Sequence, residues 1–236
     1  MPVFPLTARA FFPHPDQAEP DGMLALGGDL SVERLLRAYA AGIFPWFGPG
    51  SPILWWSPPE RAILLPGDEH FSRKTLRALG RASFEVRVDT CFEAVIGHCA
   101  RTPRPGQEGT WITPAMRAAY VALHREGYAH SFETFRDGQL VGGLYGIALG
   151  AAFFGESMFS LESHGSRAAF AELCRTAWAW GFHFIDGQLP NENLLGLGAR
   201  VVPRKEFLER LGKALETPTR RGSWTVAPGE GKLEKP

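Results

Sequence analysis

The feature that most constrains the fold is the Asp137-Gly138 pair, a two-residue hairpin signal between two long stretches of strand-forming residues. Residues 129–136 and 139–149 flank this pair, so the sequence predicts two antiparallel strands. A third strand is predicted over 151–155, followed by a helix over about 165–180 and a strand over 182–188. Two strands of one sheet that are joined through a helix run parallel. The order therefore predicts an α+β chain with a mixed sheet and one crossover helix.

Helix signals are clearest at three places outside this region. Ser31 is predicted to cap a helix that ends at Gly42, and Thr113 with Pro114 is predicted to begin another. Residues 72–80 have the pattern of a short helix, and 84–88 alternate as a half-buried strand.

The chain is long enough for one large domain or two unequal ones. The loop over 101–109, with Pro103, Pro105, Gly106 and Gly109, is a candidate boundary between two domains. The last ~15 residues have the composition of a loose tail.

Composition excludes several classes of protein. A hydrophobic content of 44%, with 7 Trp and 17 Phe, excludes a disordered chain. The 25 Lys and Arg residues balance 25 Asp and Glu residues, so a nucleic-acid surface would have to be local. Three cysteines without a CxxC spacing and seven histidines without an HExxH motif predict neither disulfides nor a metal site. With no signal peptide and no run of 18 apolar residues, we expect a cytoplasmic protein outside the membrane.

The strand over 182–188 ends with polar residues that could carry chemistry. Asp186 and Gln188 are two positions apart, so strand alternation places both on one face. Gly187 between them allows another group to approach the backbone closely. The alternative is a structural Asp that accepts hydrogen bonds from the next loop.

A second candidate site follows the strand over 151–155. The string Gly155-Glu156-Ser157-Met158-Phe159 approaches the G-x-S-x-G nucleophile elbow, but Phe159 occupies the position of the second glycine. Ser157 is therefore a weak candidate for a hydrolase nucleophile, and Glu156 as a polar strand-end residue is the alternative.

Two further patterns are compatible with nucleic-acid binding. Trp46 and Trp111 lie in turn-like contexts, where an indole can stack on a base, although core packing is the alternative for both. Four cations occupy roughly one face of the helix over 72–80, which suits phosphate contacts or a plain solvated face: Arg73, Lys74, Arg77 and Arg81.

A combination of short strings between about residues 20 and 210 resembles the leucyl/phenylalanyl-tRNA–protein transferase family. The strings are Pro20-Asp21-Gly22, Gly27-Gly28-Asp29-Leu30-Ser31, Gly42-Ile43-Phe44-Pro45-Trp46-Phe47, Ile53-Leu54-Trp55-Trp56-Ser57-Pro58, Gly109-Thr110-Trp111-Ile112-Thr113, Gly142-Gly143-Leu144-Tyr145-Gly146, Gly155-Glu156-Ser157-Met158-Phe159-Ser160 and Ile185-Asp186-Gly187-Gln188. The resemblance implies a small N-terminal α+β domain over 1–62 and an acetyltransferase-like (GNAT-type) C-terminal domain over 63–236, with the loop over 101–109 as the alternative boundary. It also implies transfer of leucine or phenylalanine, with methionine as a third candidate, from charged tRNA to proteins with N-terminal Arg or Lys, which marks them for degradation.

The resemblance also implies roles for individual residues. Trp46 and Trp111 would sandwich the terminal adenine of the tRNA with Tyr39 and Tyr120 nearby, and the cations at 73, 74, 77 and 81 would contact the acceptor stem. The aminoacyl side chain would lie among Phe153, Met158, Ile185 and Leu144. Glu156, Asp186, Gln188 and Asn191 would surround the reacting centre. The sequence departs from the family pattern at Asn193 and Gly196-Leu197-Gly198, and at His164-Gly165-Ser166-Arg167.

Aminolysis of an aminoacyl ester is downhill, so we expect no cofactor. We also expect a monomer. We predict that Gln188 orients the attacking amine with its own amide held by Asp186, that Asp186 or water removes the proton, and that Glu156 binds the acceptor's positive side chain. Two alternatives remain open. A coenzyme-A-dependent N-acetyltransferase would need a pyrophosphate loop that residues 155–168 do not supply, and a non-catalytic RNA-binding module would leave the polar strand end unexplained.

Overall fold

A computed structural model describes residues 3–7, 11–102 and 110–225. Its first part forms a small four-stranded sheet of order β1-β2-β4-β3 and one helix: β1 (Phe4–Leu6), β2 (Met23–Gly27), α1 (Val32–Ala40), β3 (Phe44–Pro45) and β4 (Leu54–Trp56). The Ser31 side chain accepts a hydrogen bond from the Arg34 backbone N–H, which confirms the predicted start of α1.

A mixed seven-stranded sheet forms the larger part of the fold. Its elements are β5 (Glu60–Leu64), α2 (Arg73–Arg81), β6 (Glu85–Val88), α3 (Phe92–Arg101), α4 (Pro114–Arg125), β7 (Ala129–Arg136), β8 (Gln139–Leu149), β9 (Ala152–Ser160), α5 (Gly165–Ala179), β10 (Phe184–Gln188), α6 (Glu192–Gly196), β11 (Arg200–Pro203) and α7 (Arg204–Leu215). The strand order is β11-β5-β10-β9-β8-β7-β6, with β9 and β10 parallel and the other neighbours antiparallel. The predicted α+β class, mixed sheet and crossover helix are confirmed.

The β7–β8 hairpin follows directly from its turn residues. Asp137 and Gly138 have φ values of 48° and 75°, the left-handed backbone that a two-residue hairpin turn requires at both positions. The sheets change between β4 and β5, beside the boundary predicted near residue 62, and the division into two domains stays a prediction. The alternative boundary over 101–109 lies mostly outside the described residues.

The predicted end of the third strand at residue 155 is wrong. β9 continues through Ser160, because residues up to 160 still pair with β8, so Glu156 lies within a strand rather than after one. The predicted loose tail, the last ~15 residues, lies mostly outside the described residues, but its first residues, up to 225, are packed against the fold. Trp224 in this segment is only 4% exposed, because its indole enters the hydrophobic core beneath α5.

Helix α5 lies close against β8. A Cβ on Gly142 would stand 2.4 Å from the backbone carbon of Gly165, so only glycine allows this approach. None of the helices in the described part of the chain is long and apolar enough to cross a membrane.

Candidate active site

A cavity of about 500 Å³ opens where the parallel pairing of β9 and β10 ends. The last paired residues are Phe154 and Asp186, and the cavity lies beyond them, under the first half of α5. It is lined by Leu144, Tyr145, Gly155, Glu156, Ser157, Met158, Phe170, Leu173, Ile185, Asp186, Gly187, Asn191, Asn193 and Leu194. The cavity therefore has an apolar wall and a polar end, at a point where two strands separate.

Glu156 is the centre of the polar end. Its carboxyl accepts hydrogen bonds from the hydroxyls of Tyr39 (2.7 Å, to Oε1) and Tyr120 (2.9 Å, to Oε2). The same two hydroxyl oxygens lie 2.5 Å from each other. Burial raises the pKa of Glu156 to about 7, although these hydroxyls oppose the rise.

The number of protons available to the hydroxyl and carboxyl oxygens also indicates that Glu156 is protonated. The ring of Glu156, Tyr39 and Tyr120 contains three oxygen–oxygen contacts, but the two phenols carry only two protons. With Glu156 ionised, one contact has no proton. A protonated Glu156 supplies the third, and every contact is then a hydrogen bond. The geometry therefore fits a carboxyl group that is neutral in this arrangement and can gain or lose a proton near neutral pH.

Gln188 is held in place by two separate bonds. Its backbone N–H donates to Asp186 Oδ1 at 2.8 Å, and its side-chain Nε2 donates to Glu156 Oε1 at 2.8 Å. Its φ is 63°, a left-handed value that is uncommon outside glycine, and the strand register shifts between 186 and 188. The prediction that Asp186 holds the Gln188 amide is wrong, because this bulge turns the amide toward Glu156.

Asp186 forms a buried ion pair instead. Arg61 Nη2 lies 2.6 Å from Asp186 Oδ2 and Arg61 Nε lies 3.0 Å from Oδ1, with the two residues 1% and 0% exposed. Arg61 Nη1 also donates to the Gly42 carbonyl at 3.1 Å, and the guanidinium lies between two phenyl rings, those of Phe44 and Phe207. Since Asp186 is engaged by Arg61 and by the Gln188 backbone, it is poorly placed to take a proton from a substrate.

The residues predicted for the adenosine are divided between two environments. Trp46 is 40% exposed and packs edge-on against Trp56, and Trp111 is half-buried. Tyr39 and Tyr120 are fully buried beneath Glu156. Their hydroxyls bond to the Glu156 carboxyl, and their place near the terminal adenine stays a prediction.

The other predicted residues are placed as follows. Leu144, Met158 and Ile185 line the cavity, whereas Phe153 is fully buried behind them. Asn191 also lines the cavity and caps α6, accepting from the Leu194 N–H at 3.0 Å. The four predicted cations at 73, 74, 77 and 81 all lie exposed on α2. In the part of the chain that the structure describes, no group of three or more His, Cys, Asp or Glu side chains could hold a metal ion.

Sequence reasoning missed Arg61. Its signal is a cation directly before the apolar run Ala62-Ile63-Leu64-Leu65, a pattern that also occurs at the ends of ordinary strands. Nothing local identifies its partner, which is 125 residues away in the sequence.

Comparison with known proteins gives concordant matches. Residues 63–212 match the family described as leucyl/phenylalanyl-tRNA protein transferase, and residues 28–59 match the N-terminal domain of the same family. Three relatives named leucyl/phenylalanyl-tRNA–protein transferase illustrate the similarity. The protein of Anaeromyxobacter sp. (strain Fw109-5) is 52% identical, covering 98% of each chain. That of Nitratidesulfovibrio vulgaris (strain DP4) is 53% identical over 91% of this chain and 92% of its own. That of Myxococcus xanthus (strain DK1622) is 50% identical over 95% and 97%.

The similarity of this chain to solved structures is weaker than its similarity to these relatives. A conserved protein of unknown function from Staphylococcus epidermidis aligns with a TM-score of 0.41 and 10% identity, covering 77% of this chain and 68% of that one. L-PGS from Bacillus licheniformis aligns with a TM-score of 0.37 and 13% identity, covering 72% and 54%.

Proposed function

The chain belongs to the leucyl/phenylalanyl-tRNA–protein transferase family and is an aminoacyltransferase, and on that premise we propose that it moves leucine or phenylalanine from tRNA to proteins with N-terminal Arg or Lys. The new peptide bond forms at the α-amino group and marks the acceptor for degradation. We further propose that the larger sheet is an acetyltransferase-type (GNAT-type) catalytic unit and that the enzyme acts as a monomer in the cytoplasm.

The observation that carries this proposal is the composition of the cavity wall next to Glu156. Leu144, Met158, Phe170, Leu173 and Ile185 present apolar side chains, and no lysine or arginine is among the residues that line the described cavity. An apolar site of this kind suits a leucyl or phenylalanyl side chain. The ester carbon of the bound aminoacyl group would then lie toward the polar end, near Glu156 and Gln188.

The chemistry asks little of the protein. The acyl group arrives as an activated ester, and an N-terminal amine with a pKa of about 7.7–8.0 is partly neutral at pH 7. Orientation of the two reactants can contribute about 7–11 kcal/mol to lowering the barrier. A site that positions both and accepts one proton is sufficient.

We assign the proton to Glu156 and the positioning to Gln188. The amine would donate a hydrogen bond to the Gln188 side-chain carbonyl, whose amide is fixed by Glu156. The nitrogen attacks the ester carbon, a proton passes from the nitrogen to ionised Glu156, and the C–O bond to the ribose breaks. The same proton then returns from Glu156 to the ribose oxygen. Relative to the sequence prediction, the proton-accepting role moves from Asp186 to Glu156, because Asp186 is engaged by Arg61.

A transfer assay tests the proposed function. With radiolabelled leucyl- or phenylalanyl-tRNA and a peptide that begins with Arg, we expect label in the peptide, and much less when the peptide begins with an acidic residue. Acetyl-CoA with the same peptide should give no product. Acetylation without aminoacyl transfer would favour the acetyltransferase, and tRNA binding without either reaction would favour an RNA-binding module.

The exposed cations of α2 give a separate prediction about tRNA binding. Arg77→Ala should weaken whole charged tRNA and reduce the slope of log K against log salt by about one unit, since one phosphate contact is lost. The same variant should bind an aminoacyl-adenosine fragment normally, because the fragment has no acceptor stem.

Trp111→Ala is the matched variant for this experiment. It should weaken the fragment and the whole tRNA alike, by about 1–3 kcal/mol, because base stacking is lost in both. If Arg77→Ala weakens binding of the fragment as much as binding of the whole tRNA, the α2 cations do not contact the acceptor stem.

A further inference from the structure

The segment after α7 returns to the core and places Trp224 under the crossover helix. The Trp224 backbone N–H donates to Asp89 Oδ2 at 2.7 Å, and its indole stacks on the His130 ring at a centroid distance of 3.7 Å. Thr225 Oγ1 donates to the Val88 carbonyl at 3.0 Å, and the Gly222 N–H donates to Gly127. Backbone and ring contacts thus fix the segment to β6, to β7 and to the turn that precedes β7.

Phe153 is the neighbour that connects Trp224 to the cavity. The Phe153 and Trp224 ring centroids are 6.1 Å apart, and Phe132 contacts both rings edge-on, at 6.4 and 6.3 Å. The Phe153 ring also covers Gly146 on β8 so closely that a Cβ there would lie 2.5 Å from it. Phe153 therefore fills a fully buried position with rigid neighbours on several sides.

Two elements place Phe153 between Trp224 and the cavity. On β10 and the turn before it, Phe182 contacts Trp224, whereas Ile185 lines the cavity and pairs in register with Phe153. On α5, Phe170 and Leu173 line the cavity, and Trp180 just beyond the helix contacts Trp224 edge-on at 5.0 Å. Seven residues from 173 to 180 correspond to about 10 Å along a helix. Phe153 belongs to the same buried cluster as Phe170, Leu173 and Trp224.

We propose that Trp224 is a positioning residue that closes the deep end of the aminoacyl cavity by holding Phe153 in place, and thereby limits the size of the side chain accepted. The proposal rests on the proposed function, since it assigns the cavity to the aminoacyl group. Protein interiors are close-packed, so a ring that loses the partner behind it can recede into the space left. Reducing Trp224 would then deepen the cavity without touching Glu156, Gln188 or any tRNA contact.

The test is the ratio of kcat/KM for phenylalanyl-tRNA to that for leucyl-tRNA, with one Arg-ending peptide, in Trp224→Phe, Trp224→Leu and Trp224→Ala of the full chain. We expect the ratio to rise as the side chain becomes smaller, by about tenfold in Trp224→Ala, because the longer side chain gains room and leucine loses contacts. The KM for the peptide should not change.

Ile96→Ala is the control for a purely structural effect. Ile96 is fully buried in the other core cluster, and its truncation should lower the melting temperature while leaving the ratio unchanged. A constant ratio across the Trp224 variants, with rates falling only in step with their stability, would overturn the proposal. If Trp224→Ala does not fold, the same ratio measured in Trp224→Phe and Trp224→Leu tests the proposal. If the unaltered protein transfers neither amino acid, the proposed function itself fails, which is a different outcome.

Discussion

Replacing Glu156 with glutamine will lower kcat by about 10²–10⁴-fold, the usual contribution of a positioned proton acceptor. Glutamine keeps the size of the side chain but cannot accept the amine's proton. The KM for charged tRNA and the peptide should change little, since the aminoacyl wall and the α2 cations are untouched. Single-turnover rates with radiolabelled leucyl-tRNA measure the effect.

Glu172→Gln is a suitable control, because Glu172 lies on α5 and forms an ion pair with Arg175 away from the cavity. It should transfer at the normal rate. A Glu156→Gln enzyme with normal kcat and a raised peptide KM would instead return Glu156 to the role of binding the acceptor's charge, as predicted from the sequence.

The two tyrosines should act through Glu156. Their hydroxyls stabilise its ionised form, so Tyr39→Phe or Tyr120→Phe should raise the pKa of Glu156 further and move the pH range of activity upward.

Breaking the Arg61–Asp186 pair will cause the largest loss of stability. Asp186→Asn leaves the Arg61 guanidinium buried without a counter-charge, and removing one partner of a buried pair costs about 3–5 kcal/mol. Arg61→Met leaves the Asp186 carboxylate buried without a counter-charge and should lower the free energy of unfolding by a similar amount. The double variant Arg61→Met/Asp186→Leu should lose less than the sum of the two single variants, because it leaves no unpaired charge. Urea unfolding of all three measures this coupling.

Glu33→Gln is the control for an ion pair at the surface. It removes the exposed i,i+4 pair with Arg37 and should cost less than about 1 kcal/mol. Strictly additive effects of the Arg61 and Asp186 substitutions would contradict the buried pair. Where Asp186→Asn remains folded, its kcat should fall because the Gln188 backbone N–H then bonds to a neutral amide oxygen in place of a carboxylate, which holds it more weakly, and its pH dependence should stay like that of the unaltered protein.

Local signals explain why much of the fold could be predicted. The Ser31 and Thr113 caps and the Asp137-Gly138 turn act through hydrogen bonds or dihedral angles within a few residues. The crossover helix follows from element order alone. In contrast, the extension of β9 to Ser160 depends on its pairing with β8, which no local residue type specifies.

The candidate site was only partly predictable for the same reason. The sequence identifies Glu156, Asp186 and Gln188 as polar groups at strand ends; Glu156 and Asp186 line one cavity, and Gln188 donates a hydrogen bond to Glu156. Their partners come from distant segments, Arg61 for Asp186 and two tyrosines for Glu156, so the assignment of contacts was wrong where pairing decides it. The burial of Trp224 could not be predicted either, because the composition of the C-terminal segment does not distinguish a buried tryptophan from an exposed one.

The pH dependence of kcat/KM for the acceptor peptide tests the central claim, that Glu156 accepts the proton, most directly. The reaction needs both ionised Glu156, with its pKa of about 7, and the neutral amine, whose pKa is about 7.7–8.0. The central claim predicts that log kcat/KM rises with a slope of two below pH 7, with a slope of one between pH 7 and the pKa of the amine, and levels off above that pKa. Glu156→Gln should show a slope of one up to the pKa of the amine and then level off. A slope of one in the unaltered protein, with only the amine's pKa visible, would contradict the central claim.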